Sequence, residues 1–180
     1  DVKAAYASAL RNGSVYSVNN RKNSYSGRAH MDGMVFLGYV PQDGLTGGWG
    51  GEEFNFSWSM EGSGTDFAIA SMAKYLRDQE GSESAAWQKY NDEYLYFTAR
   101  ATNYVHLFNE SMGGWFRAKK SDGTWLQTDE QFDTTAQGYG YCEDNAYNYA
   151  FPPYDGQGLA NLYGMARDRD GQTALGDKNG

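Results

Sequence analysis

Cysteine is almost missing from this sequence, Cys142 being the only one. A lone thiol excludes an internal disulfide and any metal site built from several thiolates. Histidine is nearly as scarce: His30 and His106 are the two imidazoles available, and neither stands in a zinc or catalytic-triad motif. No apolar run approaches the roughly 18 residues that a membrane-spanning helix needs. The opening DVKAAYASAL lacks the basic n-region and long apolar h-region of a signal peptide. Positive charge is in deficit, with 15 Lys and Arg against 23 Asp and Glu for a net −8. That sign is wrong for a phosphate backbone, so neither nucleic acid nor membrane is expected as a partner. Phosphate loop, G-x-S-x-G elbow and dinucleotide fingerprint are all absent.

Aromatic rings are what the sequence has instead: 15 Tyr, 9 Phe and 5 Trp among 180 residues. Rings with an apolar body and a polar edge serve equally to pack a core and to line a sugar-stacking cleft. The length is that of one domain, able to bury about two-thirds of its unfolded surface.

Periodicity predicts an all-α fold. DVKAAYASALRNG reads as an amphipathic helix stopped by Gly13 in a left-handed C-cap. Positions 14–64, rich in glycine and polar residues, read as a long ordered loop with a strand or two around 34–40. A helix over 65–79 follows, capped by Ser63 or Thr65, with Ile69, Met72, Ala73 and Leu76 on one face. Gly81 ends it, and Ser82 or Ser84 caps the next, over 84–108. There Trp87, Tyr90, Tyr94, Phe97, Ala101, Tyr104 and Phe108 alternate spacings of three and four, forming a stripe for a partner helix. The short link makes the pair an antiparallel αα-hairpin. GGWFRAKKSDGTWL is turn-rich and bends at SDG. EDNAYNYAF starts a further helix halted by Pro152 and Pro153, and GQGLANLYGMARD gives a last short one.

Among chemistry-bearing stretches, GYGYCEDNAYNYAFPPYDG (138–156) stands out. A carboxyl group that donates a proton near neutral pH needs a raised pKa, which burial among rings such as Tyr139, Tyr141, Tyr147 and Tyr149 would supply. Glu143 is the candidate; a helix N-terminus would work against it by favouring the anion. The alternative is an ordinary acidic first turn capped by Asp144 or Asn145. In GGWFRAKK, Trp115 and Arg117 offer a stacking face and a fork of donors to sugar hydroxyls, or else a turn with Trp115 in the core. ARDRDGQTALGD offers Ala166 and Asp177 where a calcium loop wants Asp and Glu, and is not read as one.

Four segments in order resemble glycoside hydrolase family 92, the calcium-dependent exo-acting α-mannosidases. GYVPQD (38–43) is similar to that family's Gly-Tyr-(Ile/Val)-Pro. SMEGSGTDFAIASMAKYL (59–76) is similar to its Thr-Leu-Glu-Tyr-Ala-Tyr-Asp-Asp and the apolar helix that follows, with Glu61, Asp66 and IASMA keeping their places. RATNYVHLFNESMGGWFRAKKSDGTW (100–125) is similar to its Arg-x-x-Asn-Tyr to Asp-Gly-x-Trp run. CEDNAYNYAFPPYDGQGLANLYG (142–164) is similar to its Glu-(Gly/Ala)-Asn-Ala-Trp-Gln-Tyr to Leu-Met-Gly run. Departures stand at Asp144, Tyr147, Asn148 and Tyr154.

The resemblance implies a hydrolase of terminal α-mannosides on secreted or cell-surface glycans, acting with inversion in an (α/α)₆ barrel. It makes Glu143 the general acid and Arg117, Asn145, Tyr149 and Asp155 wall or supporting residues; Trp115, and Tyr147 despite its departure from the pattern, are expected to bind substrate as well. It also implies calcium, with ligands and general base expected outside this chain. About five helices, a first residue inside a helix and a polar GDKNG end lead to the expectation of one partial domain, 1–180. Such a piece would need the remainder of its parent enzyme and be inactive alone, in an extracellular, cell-surface or periplasmic setting. The competing classes are a non-catalytic glycan-binding or structural helical module, and an α/α-toroid glycosidase of other sugar specificity.

Overall fold

The computed structural model describes residues 1–15, 28, 31–43, 54–142, 144–149 and 152–170, with the side chains of the last helix to Gly164. Its described part is helix-dominated, with one two-stranded sheet. The elements are α1 (Val2–Ser14), α2 (Met31–Phe36), α3 (Asn55–Arg77), α4 (Ala85–Ala101), β1 (Phe108–Asn109), β2 (Trp115–Phe116) and α5 (Gly156–Asp170).

Helix α1 begins where Asp1 accepts the Lys3 and Ala4 amides, relieving donors that have no partner within the first turn. Gly13 is not a left-handed cap. It lies inside α1 and is buried, where a Cβ would collide with Ile69 and crowd Phe97. Helix α4 is capped by the Ser84 hydroxyl, which accepts from the Trp87 amide at 3.0 Å.

Contacts between α3 and α4 run in opposite order along the two helices. Arg77 donates to Asn91 at 3.2 Å, while Asp66 receives Arg100 at 2.6 Å. Tyr6, Ile69, Ala70, Ala73, Leu76 and Phe97 form the core between α1, α3 and α4. Burying a Leu- or Phe-sized side chain contributes about 1.5–3 kcal/mol. Under this core Asp66, wholly buried, is held by Arg100 from α4 and Arg28 from the preceding segment.

Several expectations change. Helix α3 starts at Asn55, ten residues before the expected 65, so neither Ser63 nor Thr65 caps it. Gly62 and Gly64 lie within it, and a Cβ on Gly62 would meet the Arg28 guanidinium. Residues 31–36 are helical rather than extended, because Met31 and Met34, three apart, are the pair that is buried. Helix α4 stops at Ala101 and continues to Leu107 as a tighter 3₁₀ turn, which carries Tyr104 and Leu107 inward. The stripe is buried from Phe97 onward, with Trp87, Tyr90 and Tyr94 half-buried. Residues 144–149 make turns, not a helix. Within the expected 14–64 loop, residues 16–27, 29–30 and 44–53 lie outside the described residues.

The second core is aromatic and held largely by loops. Tyr39, Phe56, Met60, Tyr104, Leu107, Phe108, Phe116, Phe132 and Tyr141 are its larger members. Strands β1 and β2 pair antiparallel, Phe108 with Phe116 and Asn109 with Trp115. Beyond them the chain bends at 121–123, as expected, and Lys119 bridges to Trp125.

Candidate functional site

Where the start of α3 meets the loop 141–154, a cavity of about 320 Å³ opens. Met60, Glu61 and Gly64 line it from the helix; Asp144, Asn148, Tyr149, Pro152, Pro153 and Tyr154 line it from the loop. Glu61 and Gly64 fall one helical turn apart, so both meet the loop.

Anchors of one kind fix the loop: buried rings whose hydroxyls find backbone or side-chain oxygens. Tyr141 is 1% exposed and donates to the Phe116 carbonyl at 2.9 Å. Tyr149 donates to Ser57 Oγ at 2.9 Å. Tyr154 donates to the Ala101 carbonyl at 3.0 Å and stacks on Phe67 with ring centroids 4.9 Å apart. Burial raises the Tyr154 phenol to about 12 and pushes the Tyr141 and Tyr149 phenols up as well. These groups therefore stay neutral donors at any physiological pH.

The approach to the acidic pair is conformationally unusual. Gly138, Tyr139, Gly140 and Cys142 all have positive φ. Such a conformation costs a non-glycine residue about 1–3 kcal/mol and persists only where its surroundings impose it. At Gly140, with φ +90°, a Cβ would also lie 2.9 Å from Phe56 Cβ and 3.0 Å from its amide nitrogen. After the turn, Asp144 Oδ1 accepts the Asn145 amide at 2.9 Å and the Asn148 side-chain amide at 2.5 Å. These short-range bonds compete with a helical ladder and explain why 144–149 turn instead.

The expected site residues take different places. Glu143 lies outside the described residues; its neighbour Asp144 lines the cavity. Asn145 follows on the same loop, with its Oδ1 buried and without a hydrogen-bond partner among the described residues. Tyr147 is 67% exposed on the outer side of that turn. Asp155 accepts the Tyr104 hydroxyl at 2.8 Å and the Gly158 amide at 2.9 Å, which places it at the start of α5. Trp115 packs near Phe132 and donates its indole N–H to the Met112 carbonyl at 3.2 Å. Arg117 is 2% exposed. Its guanidinium donates to Asp129 at 2.6 Å, Ser111 at 3.3 Å and the carbonyls of Gln127 and Thr128 at 2.7 and 3.2 Å, above the Phe132 ring. Trp115 and Arg117 thus tie together the loops around β2, and neither lines the cavity.

Sequence reasoning did not assign a site role to Glu61, Asp144, Asn148 or Tyr154. Glu61 stood in a quoted motif, and its i, i+3 spacing to Gly64 becomes readable only once α3 is known to start at Asn55. For calcium, which takes six to eight oxygen ligands, the described residues offer no group of three or more His, Cys, Asp or Glu able to hold an ion.

The cavity combines carboxylates, a side-chain amide, tyrosine rings and prolines, a lining suited to a hydroxyl-rich ligand with an apolar face. The family model described as the glycosyl hydrolase family 92 catalytic domain matches residues 1–170. No curated protein matches the chain significantly.

Proposed function

The chain belongs to glycosyl hydrolase family 92, and from that premise we propose that it carries the proton-donating half of a site removing terminal α-linked mannose from glycans with inversion. One observation carries the proposal. The helix start containing Glu61 and the loop that brackets Glu143 meet at a single cavity large enough for a sugar ring.

In this reading Glu143 protonates the departing glycosidic oxygen. Such a donor needs surroundings that favour the neutral acid. Asn148 and the faces of Tyr149 and Tyr154 border the sugar ring, and Asn145 supports them from the same loop. An inverting hydrolase also needs a second carboxylate about 6.5–9.5 Å away to activate water. We assign that base, and the calcium ligands, to parts of the protein outside this chain. An isolated chain is then expected to be inactive, within a helical (α/α)₆ barrel acting on extracellular or periplasmic glycans.

The test uses the full-length protein on mannobiosides, with and without a chelator. Glu143→Gln is expected to cut turnover by about 100-fold or more, most severely for a poor leaving group. Near-normal cleavage of an unactivated mannoside by that variant sinks the assignment.

A further inference from the structure

We propose that Ser57 is a positioning residue for the acidic turn, gripping it on both sides of Glu143. The inference rests on the reading of Glu143 as proton donor, and on geometry confined to described residues.

Ser57 sits in the first turn of α3 and is 8% exposed. Its amide is one of the donors that a helix start leaves without an intrahelical partner. That amide donates to the Gly140 carbonyl at 2.9 Å, and Ser57 Oγ donates to the same oxygen at 3.2 Å. The hydroxyl then accepts from the Tyr149 phenol at 2.9 Å. The hydroxyl thus both donates and accepts, which no apolar replacement can do.

The two grips fall three residues before Glu143 and six after it. Between them the chain passes through left-handed Gly140 and Cys142 and then the Asp144–Asn148 bond. A turn in such a conformation relaxes unless its ends are held. Tyr149 is further wedged against Phe56 and Tyr141, at ring centroid distances of 5.2 and 6.0 Å. The neighbour of Ser57 thus packs against the same ring whose hydroxyl Ser57 receives. Loss of the Ser57 hydroxyl takes the acceptor from the Tyr149 phenol and loosens the outgoing half of the turn, which keeps its ring packing and the Tyr147 amide bond to the Thr134 carbonyl. The incoming half keeps the Ser57 amide bond and the Tyr141 anchor to Phe116.

The consequence is specific to proton donation. A misplaced acid slows cleavage of a glycoside with a poor leaving group and hardly affects one whose aglycone leaves unaided. In the full-length protein, Ser57→Ala is expected to lower kcat about tenfold on an alkyl mannoside and about twofold or less on a nitrophenyl mannoside. KM should change little, and the rates are taken per folded molecule. Ser57→Thr, which keeps the hydroxyl, is expected to restore the alkyl-mannoside rate. Tyr149→Phe should reproduce the loss, and the double variant should add nothing further.

Equal losses on both substrates, or a wild-type rate for Ser57→Ala on the alkyl mannoside, overturn the inference. Failure of the parent reading looks different. There Glu143→Gln itself retains alkyl-mannoside turnover, or the wild-type protein cleaves neither substrate.

Discussion

The two cores of this protein are built from different materials. Between α1, α3 and α4 the packing is by Ile69, Ala70, Ala73, Leu76 and Phe97 on regular helices, stapled by the buried Asp66 between two arginines. Around β1, β2 and the 138–155 loop, packing is by rings. There tyrosine hydroxyls reach carbonyls and side chains that regular structure leaves unpaired. A helical region closes its own backbone hydrogen bonds and needs only a greasy stripe. A loop region must be satisfied residue by residue, and tyrosine brings apolar area and a donor together. The cavity lies at the seam, where α3 supplies one wall and the loop the other.

The severest way to break this contrast is at Asp66. Asp66→Ala removes the buried carboxylate that Arg28 and Arg100 share and is expected to cost about 3–5 kcal/mol, read by urea unfolding. Because α3 contributes to both cores, both should melt together; a change confined to the helical end would separate them. Next comes Gly140→Ala, which places a Cβ at φ +90° against Phe56. It is expected to cost about 1–3 kcal/mol. Proteolytic cleavage should rise within 138–149 while α1, α3 and α4 stay protected.

Alkaline pH sharpens the contrast further. Burial raises the phenols of Tyr39, Tyr104, Tyr141, Tyr149, Tyr154 and Tyr163, all in the aromatic core. In the helical core Tyr6 shifts likewise, through burial and its bond to Glu93. A phenol harder to ionise folded than unfolded adds stability that is complete below its ordinary value of about 10. That stability is lost as pH rises through the folded value, about 12 for Tyr154. The loop region should therefore open first across that window, with tyrosinate absorbance rising before helical circular dichroism falls. The mildest test is Ser84→Ala, which removes the α4 cap. It is expected to cost about 1 kcal/mol and to leave glycoside turnover per folded molecule unchanged.

The helical core was legible because its signals are local. The three-and-four spacing marked α4, Ser84 marked its start, and the last short helix fell where α5 lies. What misled was glycine. Gly62 and Gly64 read as loop, yet they belong to α3, where a Cβ on Gly62 would displace the Arg28 guanidinium. Met34 opened an apolar run, 34–40, that suited a strand equally well, and Met31 lay outside it.

At the candidate site, order along the chain singled out the acidic turn and the family to which it belongs. It did not show that Trp115 and Arg117 brace other loops, nor that Glu61 shares a cavity with Asp144. Those assignments depend on which oxygen each donor reaches across 10 to 90 residues of chain, as Arg117 does to Asp129 and Tyr149 to Ser57. Composition, periodicity and motif order determined the helices, the acidic charge and the family, because each is written in neighbouring residues. The tertiary structure alone decided where residues 144–149, turned locally by Asp144, are held. Their distant partners, Thr134 for the Tyr147 amide and Ser57 for the Tyr149 phenol, lie far away in sequence, and only folding brings these donors to them.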